Sequence, residues 1–359
     1  MFNHLHYVPI LKWKLGEYQA LSRLAPAVKD RITPLLEIPA VGYDFEKHRT
    51  SKSLDDHLAD FGRRLKAKWQ ARACFIDLRL IDQSERMSDG SHPLDRVLTS
   101  ARSEGCNTIP VIAVGSDADY LKAAGAAKSV DTHGVCLRLQ LEDFDRPNFS
   151  GDIENALRQV TASQTETDLV IDLGDKQFLP ITAFVQTLIS AIRKIPALNR
   201  WRTFSVAGTS YPATLAAIDG SKLVRRQEWS IYRTLVDELG DDIRIPSFGD
   251  YGVAHPDPVE LDMRLIKPFA KLRYTTPEDW HIAKGRAVRT SGFEQYRGMC
   301  DAVTRQPFFD GAAFSDGDRY IAECAVGNEP TGNLTTWVWV STNRHITRVV
   351  ADLANFHGA

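Results

Sequence analysis

The first 250 residues alternate between short apolar runs and longer segments of helical periodicity. The runs are rich in β-branched and aromatic residues, a composition typical of buried strands. They cover Tyr7–Leu11, Ile32–Ile38, Cys74–Leu80, Thr108–Val114, Gly134–Leu139, Asp168–Leu173, Thr203–Ala207 and Ile243–Phe248. Their starts lie 25 to 42 residues apart, which is the spacing of a strand followed by a crossover helix. The pattern therefore predicts eight consecutive β/α units.

Eight such units predict an α/β fold, a (β/α)8 TIM-like barrel over residues 1–260. The intervening segments carry an apolar residue every three or four positions, as Leu54, Leu58, Phe61 and Leu65 do. Such a stripe is typical of a helix that packs on a sheet. A doubly wound open sheet is the alternative, and it is disfavoured because no GxGxxG motif follows the first strand.

After about residue 256 the pattern changes, and residues 261–359 are predicted to form a small α+β appendage packed on the barrel. Four segments show partial alternation and predict short strands, and a helix is expected over His345–Phe356. The predicted strands cover Lys271–Thr275, His281–Val288, Arg319–Val326 and Thr335–Val340. Phe-Ser-Asp-Gly-Asp at 314–318 is interpreted as a turn before a strand.

Composition narrows the class of protein. The chain has 359 residues, of which 43% are hydrophobic and 25% charged, and its net charge is −2. These values are ordinary for a globular protein and give no general attraction to nucleic acid. No run of about 18 apolar residues and no signal-peptide pattern occurs, so we expect a cytoplasmic protein without a membrane partner. The five cysteines are widely spaced and form no metal or disulfide pattern.

Polar and charged residues follow the predicted strands, where barrel enzymes build their sites. The candidate catalytic residues are the carboxylates Glu37, Asp77, Asp172 and Asp250. The candidate anion-binding residues are Lys12, Lys14, Arg79, Arg138, Thr209 and Ser210. Lysine and arginine suit a phosphate or carboxylate, and glycine followed by two hydroxyls after the seventh strand lets backbone amides approach an anion.

Two interpretations of these residues stay open. In the first, the cations bind an anion while the carboxylates transfer protons or hold a divalent metal such as Mg²⁺. In the second, the charges form an internal ion-pair network at the barrel mouth and bind no ligand. An ionised group inside a barrel costs several kcal/mol unless it is paired or solvated.

Two segments carry a family resemblance. Tyr-Val-Pro-Ile-Leu-Lys-Trp-Lys-Leu-Gly-Glu-Tyr-Gln-Ala-Leu at 7–21 and Ile-Thr-Pro-Leu-Leu-Glu-Ile-Pro at 32–39 are similar to the beta protein family, as are 314–318 and the region of His345. The resemblance spans almost the whole chain. It implies a phage- or prophage-linked setting and a role in antiviral defence, and it brings no assigned substrate or catalytic residues.

Two functions are therefore expected from different classes. One is an enzyme, a metal-assisted hydrolase or lyase, that acts on a nucleotide or another phosphate-bearing small molecule. The other is a non-catalytic ligand sensor or interaction module of a phage or anti-phage system, whose appendage binds a protein partner. The first places an anionic small molecule at the carboxyl end of the barrel, and in the second the same pocket recognises a nucleotide or a phage component.

Overall fold

The computed structural model describes residues 2–257 and 267–358. They form two compact units, of which the first contains residues 2–13, 33–209 and 227–250. The second contains residues 14–32, 210–226, 251–257 and 267–358. The domain boundary predicted between residues 260 and 261 lies outside the described residues.

The first unit is a closed barrel of eight parallel strands. In chain order the strands are Tyr7–Lys12, Leu35–Glu37, Cys74–Asp77, Thr108–Ile112, Val135–Gln140, Thr167–Asp172, Thr203–Gly208 and Ser247–Asp250. Each strand pairs with the next, and the eighth pairs with the first through Tyr7 opposite Phe248. That pairing closes the sheet, so the predicted barrel is confirmed and the open-sheet alternative is wrong.

Helices of this unit cross from one strand to the next. They are Leu54–Leu58, Phe61–Trp69, Pro93–Ser103, Ala118–Asp131, Phe149–Gln159, Ile181–Ile192 and Gln227–Glu238. Short 3₁₀ turns cover Leu141–Asp145, Gln164–Glu166 and Leu198–Arg200, and a two-stranded hairpin joins Tyr43–Asp44 to Arg49–Thr50. Each long helix buries an apolar stripe, as Leu94, Val97, Leu98 and Ala101 do in the helix that begins at Pro93.

Tight contact between strands fixes one glycine in the eighth strand. A Cβ at Gly249 would lie 2.7 Å from the Cβ of Ala207 and 2.8 Å from the carbonyl oxygen of Val8. Both neighbours belong to adjacent strands of the barrel, so neither can move without disturbing the sheet. Glycine at this position therefore lets the eighth strand fit between the seventh and the first.

The second unit combines a sheet with helices. Its antiparallel sheet places Asp279–Ala287 between Ser221–Arg225 and Phe269–Thr275. Its helices are Leu15–Ser22, Pro26–Lys29, Val288–Ser291, Gln295–Thr304, Asp316–Val326 and Leu334–His357. The core is aromatic, with the rings of Tyr296 and Trp337 stacked 4.3 Å apart.

The strands predicted over 319–326 and 335–340 are wrong, because both segments are helical. The Ser315 hydroxyl accepts a hydrogen bond from the Asp318 backbone N–H, so the supposed turn at 314–318 is a helix start. Asn333 and Thr336 form a reciprocal capping box in the same way, and the last helix begins eleven residues before His345. Trp337 and Trp339 are both buried although they are only two positions apart, a spacing that resembles a strand. This is possible because the helix is buried on several sides.

Among the described residues, no helix is long and apolar enough to cross a membrane.

Candidate functional site

A buried guanidinium lies at the centre of the polar residues at the carboxyl end of the barrel. Arg138, in the fifth strand, has 3% of its surface exposed. Its Nη1 donates to Glu37 Oε1 at 2.9 Å and to Asp77 Oδ2 at 2.6 Å. Its Nε and Nη2 donate to Asp172 Oδ2 at 3.1 and 2.7 Å. One arginine thus joins carboxylates from the second, third and sixth strands.

Backbone amides orient two of these carboxylates. Asp77 Oδ1 accepts from the N–H of Arg79 at 2.8 Å, and Asp172 Oδ1 accepts from the N–H of Gly174 at 3.0 Å. Both are bonds from a side chain to the amide two residues later, which turn the chain as a strand ends. In each aspartate the other oxygen, Oδ2, accepts a hydrogen bond from Arg138.

Glu37 is held less completely than the two aspartates. Its Oε2 is buried and has no hydrogen-bond partner among the described residues, while Oε1 accepts from Arg138. Arg79 Nη1 lies 3.5 Å from Glu37 Oε1 and 3.6 Å from Asp172 Oδ2. Three formal negative charges therefore face two guanidinium groups, of which Arg79 makes the longer contacts.

The arrangement does not fit a divalent cation bound between Glu37, Asp77 and Asp172. In each carboxylate, the oxygen that faces the centre of the cluster already accepts a hydrogen bond from Arg138. The guanidinium occupies the position at which a metal would contact all three residues, and it supplies positive charge there itself. The ion-pair network expected as an alternative is thus present around Arg138.

The other predicted site residues lie apart from this cluster or make different contacts. Asp250 accepts a hydrogen bond from the Tyr7 hydroxyl. Lys12 is half-buried and pairs in register with Glu37, and the N–H of Thr209 donates to the Gly174 carbonyl at 2.8 Å. Lys14 and Ser210 belong to the second unit.

Neither of these two residues contributes a strand-end side chain to the barrel. The first strand ends at Lys12, and Lys14 is exposed where the helix Leu15–Ser22 begins. The Ser210 hydroxyl donates to the carbonyl of Arg225 at 3.1 Å. Lys12 and Lys14 therefore do not share a strand face, because the chain leaves the strand between them.

A cavity of about 300 Å³ opens beside the cluster, at the carboxyl ends of the third to fifth strands. We call it the first cavity. Its lining includes Asp77, Leu78, Arg79, Ile81, His92, Ile112, Tyr120, Arg138 and Arg146. The Arg138 side chain is only 4% exposed, whereas those of Arg79 and Arg146 are 32% and 40% exposed. The cations that can reach a ligand are therefore Arg79 and Arg146.

Arg146 was not predicted from the sequence. It follows the 3₁₀ turn Leu141–Asp145, and its Nε donates to Asp143 Oδ1 at 3.0 Å, while Nη1 lies 3.6 Å from Asp152. Only the fold shows that this loop residue lies beside the ends of the third and fourth strands.

His92 was not predicted from the sequence either. Its Nδ1 accepts from the N–H of Leu94 at 3.1 Å and so caps the helix Pro93–Ser103. Because Nδ1 is an acceptor, the neutral ring carries its proton on Nε2. Burial lowers the pKa of His92 and raises the pKa of Tyr120 well above its usual value. A histidine followed by proline at a helix start was the available signal.

The chain is similar to one protein family and, at low identity, to solved structures. A family model described as "Beta protein" matches residues 7–351. The sequence matches no curated protein. Among solved structures, a mutant tryptophan synthase alpha-subunit from Pyrococcus furiosus has 14% identity and a TM-score of 0.38, covering 71% of this chain and 89% of its own. Active domain 2 of a Pyrococcus furiosus chitinase has 11% identity and a TM-score of 0.37, covering 69% and 84%.

The first prediction concerns Arg138. Arg138→Met leaves three buried carboxylates without their shared cation, and we expect it to lower the free energy of unfolding by about 3–5 kcal/mol. Arg86→Met is the control, since Arg86 pairs with Asp119 at the surface and should cost at most about 1 kcal/mol. Urea denaturation measures both variants. Equal losses in the two variants would show that the buried network does not stabilise the barrel.

The second prediction concerns pH. The folded pKa of His92 is lowered, so the unfolded chain binds a proton first as pH falls below about 6.5, and stability declines there. His92→Asn keeps a helix-capping acceptor but cannot titrate, so its decline between pH 7.5 and 5 should be shallower. Urea midpoints measure the slopes, with exposed His48→Asn as the control. Equal slopes for wild type and His92→Asn would contradict the prediction.

Proposed function

The chain belongs to the beta protein family, and from that premise we propose that its barrel binds a small molecule bearing a phosphate or carboxylate in the first cavity. The proposal rests on the position and the exposure of Arg79. Its side chain lines the cavity and is 32% exposed, and its Nη1 lies 3.5 Å from Glu37 Oε1 and 3.6 Å from Asp172 Oδ2. It can therefore offer paired donors to an anion.

The different burial of the three arginines supports this proposal. Arg138 offsets one of the three buried negative charges, so the carboxylates repel an incoming anion less strongly than they would without it. Arg79 and Arg146 then approach the ligand from two loops, those that follow the third and fifth strands. The cavity is of a size that suits small ligands, for which pockets of about 300–1,000 Å³ are typical. The carboxyl end of a barrel is where such sites are usually found.

Catalysis is the second candidate function, and His92 favours it. A neutral imidazole that lines the same cavity carries its proton on Nε2 and can donate a hydrogen bond to negative charge that develops on a bound molecule. Asp77 also lines the cavity, and its Oδ2 is fixed by Arg138. A hydrolase or lyase reaction on the bound molecule would use His92 to stabilise the developing negative charge. If that reaction needed a metal, the ion would have to be bound outside the centre that Arg138 occupies.

The phage- or defence-associated setting forms part of the same proposal, as does a cytoplasmic location. In the non-catalytic alternative, the barrel senses the ligand and the second unit binds a protein partner. Both alternatives need the cavity, so loss of Arg79 should impair the biological role in either one.

The third prediction tests ligand charge. Phosphate, nucleotides and dicarboxylates are screened by thermal shift, and at least one should stabilise the protein, by about 2.7 kcal/mol at 100 times its dissociation constant. Arg79→Gln and Arg146→Gln should each reduce that shift strongly. Arg63→Gln is the control, because Arg63 is an exposed residue that contacts Asp60 on a barrel helix. Stabilisation that survives Arg79→Gln would refute the proposed site.

The fourth prediction tests the setting. Bacterial cells that express the wild-type chain should form roughly tenfold fewer plaques than empty-vector cells when challenged with a panel of phages. Cells that express Arg79→Gln at equal protein level should lose this protection, because the anion cannot be held. Equal plaque counts for wild type and empty vector across the panel would remove the defence role and leave the binding site unaffected.

A further inference from the structure

A second cavity, of about 460 Å³, opens at the same end of the barrel as the first. Its lining comes from the segment after the second strand and the loop after the third, and includes Ala40, Thr50, Lys52 and Glu85. Arg79, Ile81 and Asp82 line both cavities. The two cavities are therefore adjacent and share one wall, in which Arg79 is the cation.

We propose that the ligand is a two-part molecule in which a central phosphate contacts Arg79 and each cavity holds one of the two parts. The inference rests on the proposed function and specifies its ligand. A phosphate at Arg79 has space on both sides, because the same side chain faces both cavities. A molecule that ended at its phosphate would fill only one of them.

The linings differ and indicate different groups. The first cavity offers Ile112, Tyr120 and the neutral His92, which suit a flat ring such as a nucleobase. The second cavity offers Lys52, Thr50 and the carboxylate of Glu85, which suit a group rich in hydroxyls or a second anion. The class of ligand is therefore a nucleotide joined through a phosphodiester or diphosphate to a second polar group, such as another nucleoside.

The combined volume of the two cavities agrees with this class of ligand. The first cavity alone lies at the lower end of the range of about 300–1,000 Å³ that ligand sites occupy, whereas the two together lie well inside it. Joining two groups makes the second contact intramolecular, so a two-part ligand should bind more tightly than either part alone.

Calorimetry with the full chain tests the inference, using inorganic phosphate, AMP, the dinucleotide ApA and NAD⁺. We expect ApA or NAD⁺ to bind roughly tenfold or more tightly than AMP. Ala40→Trp, which fills the second cavity, should weaken the two-part ligand to the affinity of AMP and leave AMP unchanged. Ala113→Trp, which fills the first cavity, should weaken both. Ala71→Trp is the control, since Ala71 is exposed and lines neither cavity.

The outcomes separate this inference from the proposed function. If AMP binds as tightly as ApA and NAD⁺, or if Ala40→Trp leaves their affinity intact, the two-part ligand is wrong and the anion site stands. If none of the four compounds binds, the inference is overturned, and the wider screen of anions decides the proposed function. Melting curves of each tryptophan variant establish that it is folded before binding is measured.

Discussion

The carboxyl end of the barrel depends on one buried guanidinium. Three separate strands end in a buried carboxylate, at Glu37, Asp77 and Asp172. Each of these carboxylates would cost several kcal/mol to bury without a partner. Arg138 reaches all three from the fifth strand and makes their burial tolerable. The same contacts connect the second and third strands to the fifth and sixth across the interior of the barrel. At this end of the fold, the pairing of these charges and the positions of the strands that carry them therefore depend on each other.

That constraint determines which side chains at the carboxyl end of the barrel are open to a ligand. Arg138 is engaged by three carboxylates, so in the proposed function recognition of an anion falls to Arg79 and Arg146, which are more exposed. Arg79 and Arg146 emerge from loops that follow the barrel strands, and His92 caps a helix beside them. In the proposed site, the buried network supports the strand ends, while the loops above it present the groups that a ligand would contact. This division is common in barrels, whose loops vary on a constant core.

An ion pair at the opposite end of the sixth strand provides a comparison. Asp168 accepts from Arg202 Nε at 3.0 Å and from the Thr203 hydroxyl at 2.7 Å. Arg202 also donates to the His133 carbonyl, so its donors are used within the fold. At the amino ends of barrel strands such pairs serve stability. Aspartate–arginine pairs therefore lie at both ends of the sixth strand. The pair at the amino end is structural, whereas the pair at the carboxyl end lies beside the proposed site.

The second unit also buries arginine. Arg344 is fully buried between the rings of Tyr274 and Phe314, with its guanidinium carbon 4.4 Å from each ring centre. It also donates to the Thr275 carbonyl at 3.0 Å and pairs with Asp310 and Asp318. Burial raises the pKa of Asp318, and Arg344 opposes that shift. Aromatic faces and carboxylates together replace the water that this guanidinium loses.

The sequence by itself determined the barrel, because a strand buried on both faces must be apolar throughout and a crossover helix must carry a stripe, and both patterns are local. It also placed Glu37, Asp77, Arg138 and Asp172 at one end, since parallel strands share their direction. It failed for the strands expected at 319–326 and 335–340. The helix that contains 335–340 is buried on several sides and so loses its stripe. The helix Asp316–Val326 keeps a one-sided stripe, with Tyr320, Ile321 and Cys324 buried, so the alternation expected at 319–326 was wrong.

Only the tertiary structure decided which charges meet. Sequence position gives the face and end of a strand, whereas pairing depends on the radius of the barrel and on the reach of each side chain. Arg138 is therefore an internal partner and Arg79 an accessible one, although both follow the same pattern of a charge in an apolar run. Arg146 and His92 lie in loops with no periodic signal, and the closure of the sheet brought them to the same cavity.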